Sequence, residues 1–370
     1  MKKLLLSTAL TGVILSTSAI AQTTVGGNMT VGLRATEEKG LAGAATTASK
    51  RGMLMETQLN VANKGKLNVG SMSYAAGFSL EFDANDAAGT STSFKSVANE
   101  NAYIDLISGN TTLSFGIDHM NDSDRSMIPV VGEYGKGTGS QGGTTAATNM
   151  IADPVNTAAA AGVAVRQAFP GFGQITLGYV PTASCSSVDP QGCGGADTTV
   201  VEGNEGSAYS LLIELADVGA KGLKLEYGYN EQQKKIGSTT SANRDAEYMS
   251  AGVSYSTGPV TIGYNRKEFD FGGTTGTNAA AVGGGATANE TRKQDDFGLA
   301  YTVGNVSYGA VYQKVKSNIS TELEEKYKGI GIGYNLGPVA AKANFGKHEN
   351  LGGLAGTDAD ILTIKLSTAF

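Results

Sequence analysis

The chain contains no tryptophan, only two cysteines and two histidines, and seven prolines among its 370 residues. Two thiols with no histidine nearby cannot complete a zinc site. The histidines, His119 and His348, fit no spacing typical of a nucleophilic or metal centre. Basic residues are also outnumbered, since 28 Lys and Arg face 34 Asp and Glu and the net charge is −6. These shortages argue against an enzyme and against nucleic acid as a partner.

Long apolar runs are missing everywhere except at the N-terminus. There, Lys2 and Lys3 precede an apolar run that closes on Ala19-Ile20-Ala21, a pattern typical of a cleaved secretory signal peptide. We therefore expect residues 1–21 to be removed and residues 22–370 to form one mature domain. No later stretch reaches the roughly 18 apolar residues that a transmembrane helix needs. If the mature chain crosses a membrane, it must do so with strands.

Apolar and polar residues alternate through the C-terminal segment, which ends on Phe370. One face carries Leu362, Ile364 and Leu366, and the other carries Thr363, Lys365 and Ser367. About sixteen such segments recur from residue 24 onward, and short turns such as Gly304-Asn305 alternate with long polar loops. Residues 63–77 fit the pattern least well. The pattern predicts an all-β fold, a closed antiparallel transmembrane barrel with short periplasmic turns and long extracellular loops.

Four features together carry a resemblance to a known family. They are the signal-like N-terminus, the long segment after the fifth predicted strand, the strand-turn run Arg166–Gly173, and the terminal Phe370. The chain resembles the trimeric general diffusion porins of the proteobacterial outer membrane. The resemblance implies a sixteen-stranded homotrimer in outer-membrane lipid that passes small hydrophilic solutes and ions without a cofactor. It also implies that the barrel-assembly machinery recognises the C-terminal strand through Phe370.

The same resemblance implies that the third extracellular loop, residues 118–161, folds into the lumen and narrows it. The candidate acids of this constriction loop are Asp118, Asp122, Asp124 and Glu133. Alternation alone places Arg34, Lys342 and Lys365 on the polar faces of the first, fifteenth and sixteenth strands, which become neighbours when a barrel closes. We expect this basic cluster to face the acidic loop across the pore, where opposed charges set a transverse field.

Other charges fall on polar faces as well. They are Glu56, Asp105, Arg166, Glu214 and Glu226, which we also expect to face the lumen. The lumen is therefore mixed in sign, and simple solvation of these charges is the alternative to a role in selectivity. The residues Gly329, Gly331, Gly333, Ala341 and Ala343 are expected on the outer face of strands fourteen and fifteen, where small side chains would permit contact with another barrel.

Two further features concern the loops. Cys185 and Cys193 are expected to form a disulfide, because an exported protein meets an oxidising compartment. The cluster of Asp118, Asp122 and Asp124 could hold calcium, although it lacks the spacing of an EF-hand, and plain solvated carboxylates are the alternative.

Three other functions remain open from the sequence. A substrate-selective outer-membrane channel would need more strands or a row of aromatic residues along the lumen. A barrel hydrolase would need catalytic residues at the rim, for which His348 is the only candidate. A secreted surface β-protein would use the same alternation in a sandwich, but every apolar face would then need a partner sheet.

Overall fold

A computed structural model gives the fold of the chain. It describes residues 22–39, 48–85, 98–117, 127–129, 131, 161–183, 206–232, 246–270, 291–319, 322–350 and 355–370. The strands are β1 Gln22–Lys39, β2 Ala48–Lys66, β3 Ser73–Asn85, β4 Ala98–Ser108, β5 Thr111–Ile117, β6 Ala161–Phe169, β7 Gly173–Ala183, β8 Gly206–Ala216, β9 Leu223–Gln232, β10 Ala246–Thr257, β11 Val260–Asp270, β12 Thr291–Val303, β13 Val306–Ser317, β14 Glu325–Asn335, β15 Val339–Glu349 and β16 Asp358–Ala369. The described residues contain no helix long and apolar enough to span a membrane.

The sixteen strands form one closed antiparallel barrel in which each strand pairs with its neighbours in sequence. The ring closes where β1 pairs with β16, with Leu33 opposite Ile364 and Arg34 opposite Thr363. At the seam the backbones of Gly27 and Phe370 exchange two hydrogen bonds, of 2.9 and 3.0 Å. Closure gives each of the described strands a partner on both sides, as a sheet surrounded by lipid requires. The predicted fold class is therefore confirmed.

The side-chain alternation in the sequence becomes an inside and an outside of the barrel. In β16, Ile364 and Leu366 on the outer face are each 46% exposed, whereas Thr363 and Lys365 on the inner face are 1% and 7% exposed. Successive strand residues point to opposite faces, so this burial follows directly from the sequence. The outer wall suits hydrocarbon, and the inner wall presents polar groups to a lumen.

The short turns gather at one end of the barrel. Gly304-Asn305 joins β12 to β13 in two residues, and Gly304 adopts a φ of 56°, a conformation that glycine reaches without strain. Residues 63–77, which fit the predicted pattern least well, include another short turn at this end of the barrel. β2 continues to Lys66, and residues 67–72 connect it to β3. The long connections leave from the opposite end, as in bacterial single-chain barrels.

One prediction about the outer wall is wrong. Gly329, Gly331 and Gly333 share the inner face of β14 with Tyr327, whose side chain is buried, whereas Ile330 and Ile332 point outward and are 63% and 44% exposed. Only the alanines, Ala341 and Ala343, pair with outward residues of β14. Glycine has no side chain that indicates a face, but the apolar Ile330 and Ile332 between the glycines are the lipid-facing residues of this strand, so alternation places the glycines on the inner face.

Candidate functional site

Two lysines form the centre of the basic wall. Lys342 on β15 and Lys365 on β16 are direct cross-strand partners, and both point into the lumen. Lys342 is exposed to the lumen, whereas Lys365 is largely buried against the wall. The cross-strand partner of Lys365 on the other neighbouring strand, β1, is Gly32. A Cβ placed on Gly32 would lie 2.8 Å from Cγ of Lys365, so the lysine side chain lies across this glycine.

Arg34 and Glu56 extend this charged cluster around the seam of the barrel. Glu56 attracts the ammonium group of Lys365, and Arg34 repels it. The structure therefore brings together the three basic residues that the sequence places on strands one, fifteen and sixteen, and adds one acid to them.

Part of the long loop lies inside the barrel, against the inner wall formed by β11 and β12. Met127, Ile128 and Pro129 pack over the inner faces of Gly263 on β11 and Gly298 on β12. A Cβ on Gly263 would stand 2.3 Å from the Met127 carbonyl oxygen, and one on Gly298 would stand 2.9 Å from Cδ of Pro129. These contacts are closer than real Cβ atoms tolerate, so the absence of side chains in the wall makes room for the loop segment.

The loop segment then reaches the neighbourhood of the lysines. Val131 is buried, and its Cγ1 would lie 3.6 Å from a Cβ on Gly333 of β14. Gly333 is the direct partner of Lys342. Ile128 and Val131 share an apolar cluster with Tyr327 and other inner-wall residues of β10 to β14. The described part of the loop thus packs against the inner wall beside the basic cluster.

An acidic pair occupies the other side of the ring. Glu214 on β8 and Glu226 on β9 are direct cross-strand partners on the inner face, and Gln174 on β7 donates a hydrogen bond to Glu214. Seven strands separate β8 from β16 in either direction around the barrel. Like the two lysines, these acids lie near the end that carries the short turns. Acidic and basic pairs therefore face each other from opposite walls.

The remaining predicted lumen residues are spread around the wall. Asp105 on β4 is 9% exposed and pairs with Ser114 of β5. Arg166 on β6 lies between Thr112 and Thr176 on the inner face. Neither residue belongs to the basic cluster at the seam.

Several predicted site residues lie outside the part of the chain that the structure describes. They are Asp118, Asp122, Asp124, Glu133, Cys185 and Cys193. The acidic face of the constriction loop, the disulfide and the calcium site therefore stay predictions. Within the described ranges, no group of three or more His, Cys, Asp and Glu side chains could hold a metal ion.

The sequence predicts polar-face positions for Glu214 and Glu226 but not their direct pairing, and it does not predict the loop anchor. Ile128-Pro129-Val130-Val131 is an apolar run within a polar loop, which is a signal that the run packs against something. The matching signal in the wall is glycine at polar-face positions of neighbouring strands: Gly252, Gly263, Gly298 and Gly333. Both signals are visible in the sequence, but only the structure shows that they meet.

These observations define a class before any comparison. A closed transmembrane barrel with a charged inner wall, against which a segment of its own loop packs, has the architecture of a membrane channel. Comparison with known families then identifies the particular one. The family described as Gram-negative porin matches residues 7–292, so the chain belongs to that family. It is a porin channel of the outer membrane.

Solved porin structures share the fold at low sequence identity. An anion-selective porin from Comamonas acidovorans is 13% identical, with a TM-score of 0.61 over 95% of this chain and 100% of that chain. A loop-deletion variant of OmpT, an outer membrane protein of Vibrio cholerae, is 16% identical, with a TM-score of 0.62 and the same coverage. A substituted Rhodopseudomonas blastica porin is 15% identical, with a TM-score of 0.56 over 94% and 100% of the two chains. No curated protein matches the chain significantly.

Proposed function

We propose that this porin conducts small hydrophilic solutes and ions by passive diffusion, and that its lumen charges sort them by sign. The direct pairing of Lys342 with Lys365 carries the proposal. Two ammonium groups side by side on an inner wall lower the potential energy of an anion that passes them and raise that of a cation. Arg34 adds a third positive charge at the same seam.

The opposed acidic pair supports the second part of the mechanism. Glu214 and Glu226 lie across the ring from the lysines, so a solute between the walls experiences a transverse field. Such a field orients dipolar solutes and favours them over apolar ones, and it needs no dedicated binding site. A dedicated substrate-selective channel is the alternative function.

The test is the ion selectivity of the double variant Lys342→Gln/Lys365→Gln in planar bilayers under a salt gradient. The outer wall offers a matched control, because Lys328 and Lys347 are also direct cross-strand partners but face away from the lumen. We expect the reversal potential of the lumen variant to move toward cation preference and that of Lys328→Gln/Lys347→Gln to stay unchanged. Equal reversal potentials for the wild type and the lumen variant would remove the pair from the selectivity mechanism.

The oligomeric state belongs to the same proposal. We propose a homotrimer, supported by the outward-facing Ala341 and Ala343, whose small side chains permit close approach of a second barrel. Cross-linking of unheated protein in detergent would show a ladder that ends at three copies. Substitution of both alanines by leucine is expected to weaken that ladder if β15 is part of the contact.

Catalysis is not part of the proposed function. His348 lies on the inner wall, where its ring contacts that of Tyr327 with centroids 4.4 Å apart and its Nδ1 is 3.8 Å from Oε1 of Glu325. This environment is compatible with a packed wall residue. Hydrolysis of a phospholipid or peptide by the purified protein, lost in His348→Ala, would establish an enzyme instead.

A further inference from the structure

Met127 places a thioether on the inner wall of the barrel, in the loop segment 127–129. The segment packs against β10 to β12, and Met127 is only half-buried, so part of its side chain is open to the lumen. The other methionines that the structure describes lie in the turn between β2 and β3 or on the outer wall: Met72 in the turn, and Met29, Met53, Met55 and Met249 outside. Among the described methionines, Met127 is therefore the one that a water-soluble reagent meets inside the pore.

The Met127 side chain lies flat against a wall position that has no side chain. A Cβ on Gly252 of β10 would stand 2.5 Å from Cγ of Met127 and 2.9 Å from its Cβ. Real Cβ atoms do not approach other atoms so closely, so the methionine occupies space that only a glycine leaves free. No room remains between Met127 and β10 for an added atom.

Two polar side chains border the thioether on the wall side. Ser254 Oγ donates a hydrogen bond to Sδ of Met127 at 3.9 Å, and this bond is weak because a thioether is a poor acceptor. Asn265 is fully buried, and its Oδ1 lies against Gly252 at the same place as Cγ of Met127. The Nδ2 group of Asn265 donates to Ser250 Oγ at 3.3 Å. An oxygen added to the sulfur on this side would meet the partial negative charge of the amide oxygen.

The position of Met127 is linked to that of the residues that follow it. Ile128 is 4% exposed and shares an apolar cluster with Tyr248 and Val311 of the inner wall. Pro129 lies over Gly298 of β12. Because Met127 is bonded directly to this anchored part of the loop, a shift of Met127 away from the wall strains both contacts.

Oxidation of a thioether changes its size and its polarity. A sulfur lone pair attacks one oxygen of a peroxide, the O–O bond breaks, and that oxygen becomes the sulfoxide oxygen while the rest of the peroxide leaves as water. The sulfur loses two electrons, and the peroxide gains them. The product is a polar side chain whose oxygen accepts hydrogen bonds from water, so it no longer favours contact with an apolar surface.

We propose that Met127 is an oxidation site through which small water-soluble peroxides in the lumen narrow the pore. The sulfoxide oxygen does not fit against Gly252 and is hydrated in the lumen instead, so the loop segment 127–129 moves off the wall into the path of the solutes. Reduction of methionine sulfoxide back to the thioether restores the original packing. The inference rests on the proposed passive diffusion, since the peroxide must itself enter the pore.

Single-channel conductance before and after treatment with hydrogen peroxide tests the proposal, and mass spectrometry of peptides measures the oxygen gained by each methionine. We expect the wild type to gain oxygen at Met127 and to lose conductance. Met127→Leu, which keeps a similar volume without sulfur, should keep its conductance. Met249→Leu and Met72→Leu are the matched controls, because they remove a thioether from the outer wall and from the turn, and both should lose conductance as the wild type does.

Two further measurements support the same comparison. Met127→Gln places a polar oxygen in this position without any oxidant, so its conductance should be low from the start and should not fall further with peroxide. Methionine sulfoxide reductases A and B, supplied with a thiol reductant, should restore the conductance of the oxidised wild type, whereas the reductant alone should not. This recovery provides the comparison if Met127→Leu does not fold.

Three outcomes would overturn the proposal. The first is oxidation of Met127 in the folded barrel that is no faster than oxidation of Met249. The second is an unchanged conductance when Met127 is oxidised. The third is an equal loss of conductance in Met127→Leu, which would assign the effect to other residues, including Met120 and Met150, which lie outside the described part of the chain and are present in every variant. An untreated wild type that conducts no ions would instead contradict the proposed function.

Discussion

Ile128 of the loop lies directly over Gly298 of β12, so that a Cβ on the glycine would be only 2.8 Å from Cβ of the isoleucine. The contact joins two parts of the chain 170 residues apart and holds the loop segment against the lumen wall. No side chain larger than hydrogen fits between them while both backbones keep their positions.

The first prediction follows from this contact. Gly298→Ala should push residues 127–129 off the wall and into the lumen, so the single-channel conductance should fall. Gly333→Ala is the matched control, because its new Cβ would meet Val131 at an ordinary contact distance of 3.6 Å. A conductance of Gly298→Ala equal to that of the wild type would show that the loop does not limit ion flow at this point.

The second prediction concerns the acidic pair. Glu214→Gln/Glu226→Gln removes two negative charges from the wall opposite the lysines, and the reversal potential in a salt gradient should shift toward anion preference. Glu231→Gln, on the outer face of β9, removes an acid outside the lumen and serves as the control. This experiment is independent of the one on the lysines. If the reversal potential shifts in only the glutamate variant or only the lysine variant, the charges that select ions lie on that wall alone.

The sequence predicts the barrel well because alternation is a local property. Leu362, Ile364 and Leu366 reveal the outer face of β16 without any knowledge of the rest of the fold, and closure then makes β16 a neighbour of β1. The same logic finds Arg34, Lys342 and Lys365. Alternation does not give the register, that is, how far neighbouring strands are shifted along each other. The direct pairing of Lys342 with Lys365 is therefore known only from the structure.

Alternation fails where side chains are missing or where the relation is not local. The prediction that the glycines of β14 face outward is wrong: Gly331 and Gly333 carry no side chain themselves, and the apolar Ile330 and Ile332 beside them occupy the outer face. The docking of Ile128 depends on contacts between the loop and several strands, which no local pattern encodes. The outward-facing pair of Lys328 and Lys347 is equally hidden, since these residues meet only once β14 and β15 are in register.

The third prediction concerns the loop that contains the two cysteines. Cys185 and Cys193 should be joined by a disulfide, because they are eight positions apart in an exported chain with no other thiol. Mass spectrometry of peptides from non-reduced protein should show the cross-linked pair, and reduction should separate it. Alkylation of both thiols without prior reduction would contradict the prediction.

The last prediction tests the closing strand. The Phe370 ring covers Gly27, since a Cβ on this glycine would lie 2.7 Å from Cζ of the ring, and the two residues also share backbone hydrogen bonds. Because the ring is 58% exposed, its contact with the seam is partial. Phe370→Ala should therefore cost only about 1 kcal/mol of the free energy of unfolding.

Phe370→Ala should lower the yield of assembled barrel more than it lowers the free energy of unfolding. If the assembly machinery recognises the terminal ring, the yield of folded barrel in the outer membrane should fall far more than so small a loss of stability explains. Heat-modifiable gel mobility measures folded protein in membranes, and refolding of the same variant into detergent measures stability without the machinery. Phe370→Tyr, which keeps the ring, is the control. Equal losses in cells and in detergent would make Phe370 a structural residue of the seam alone.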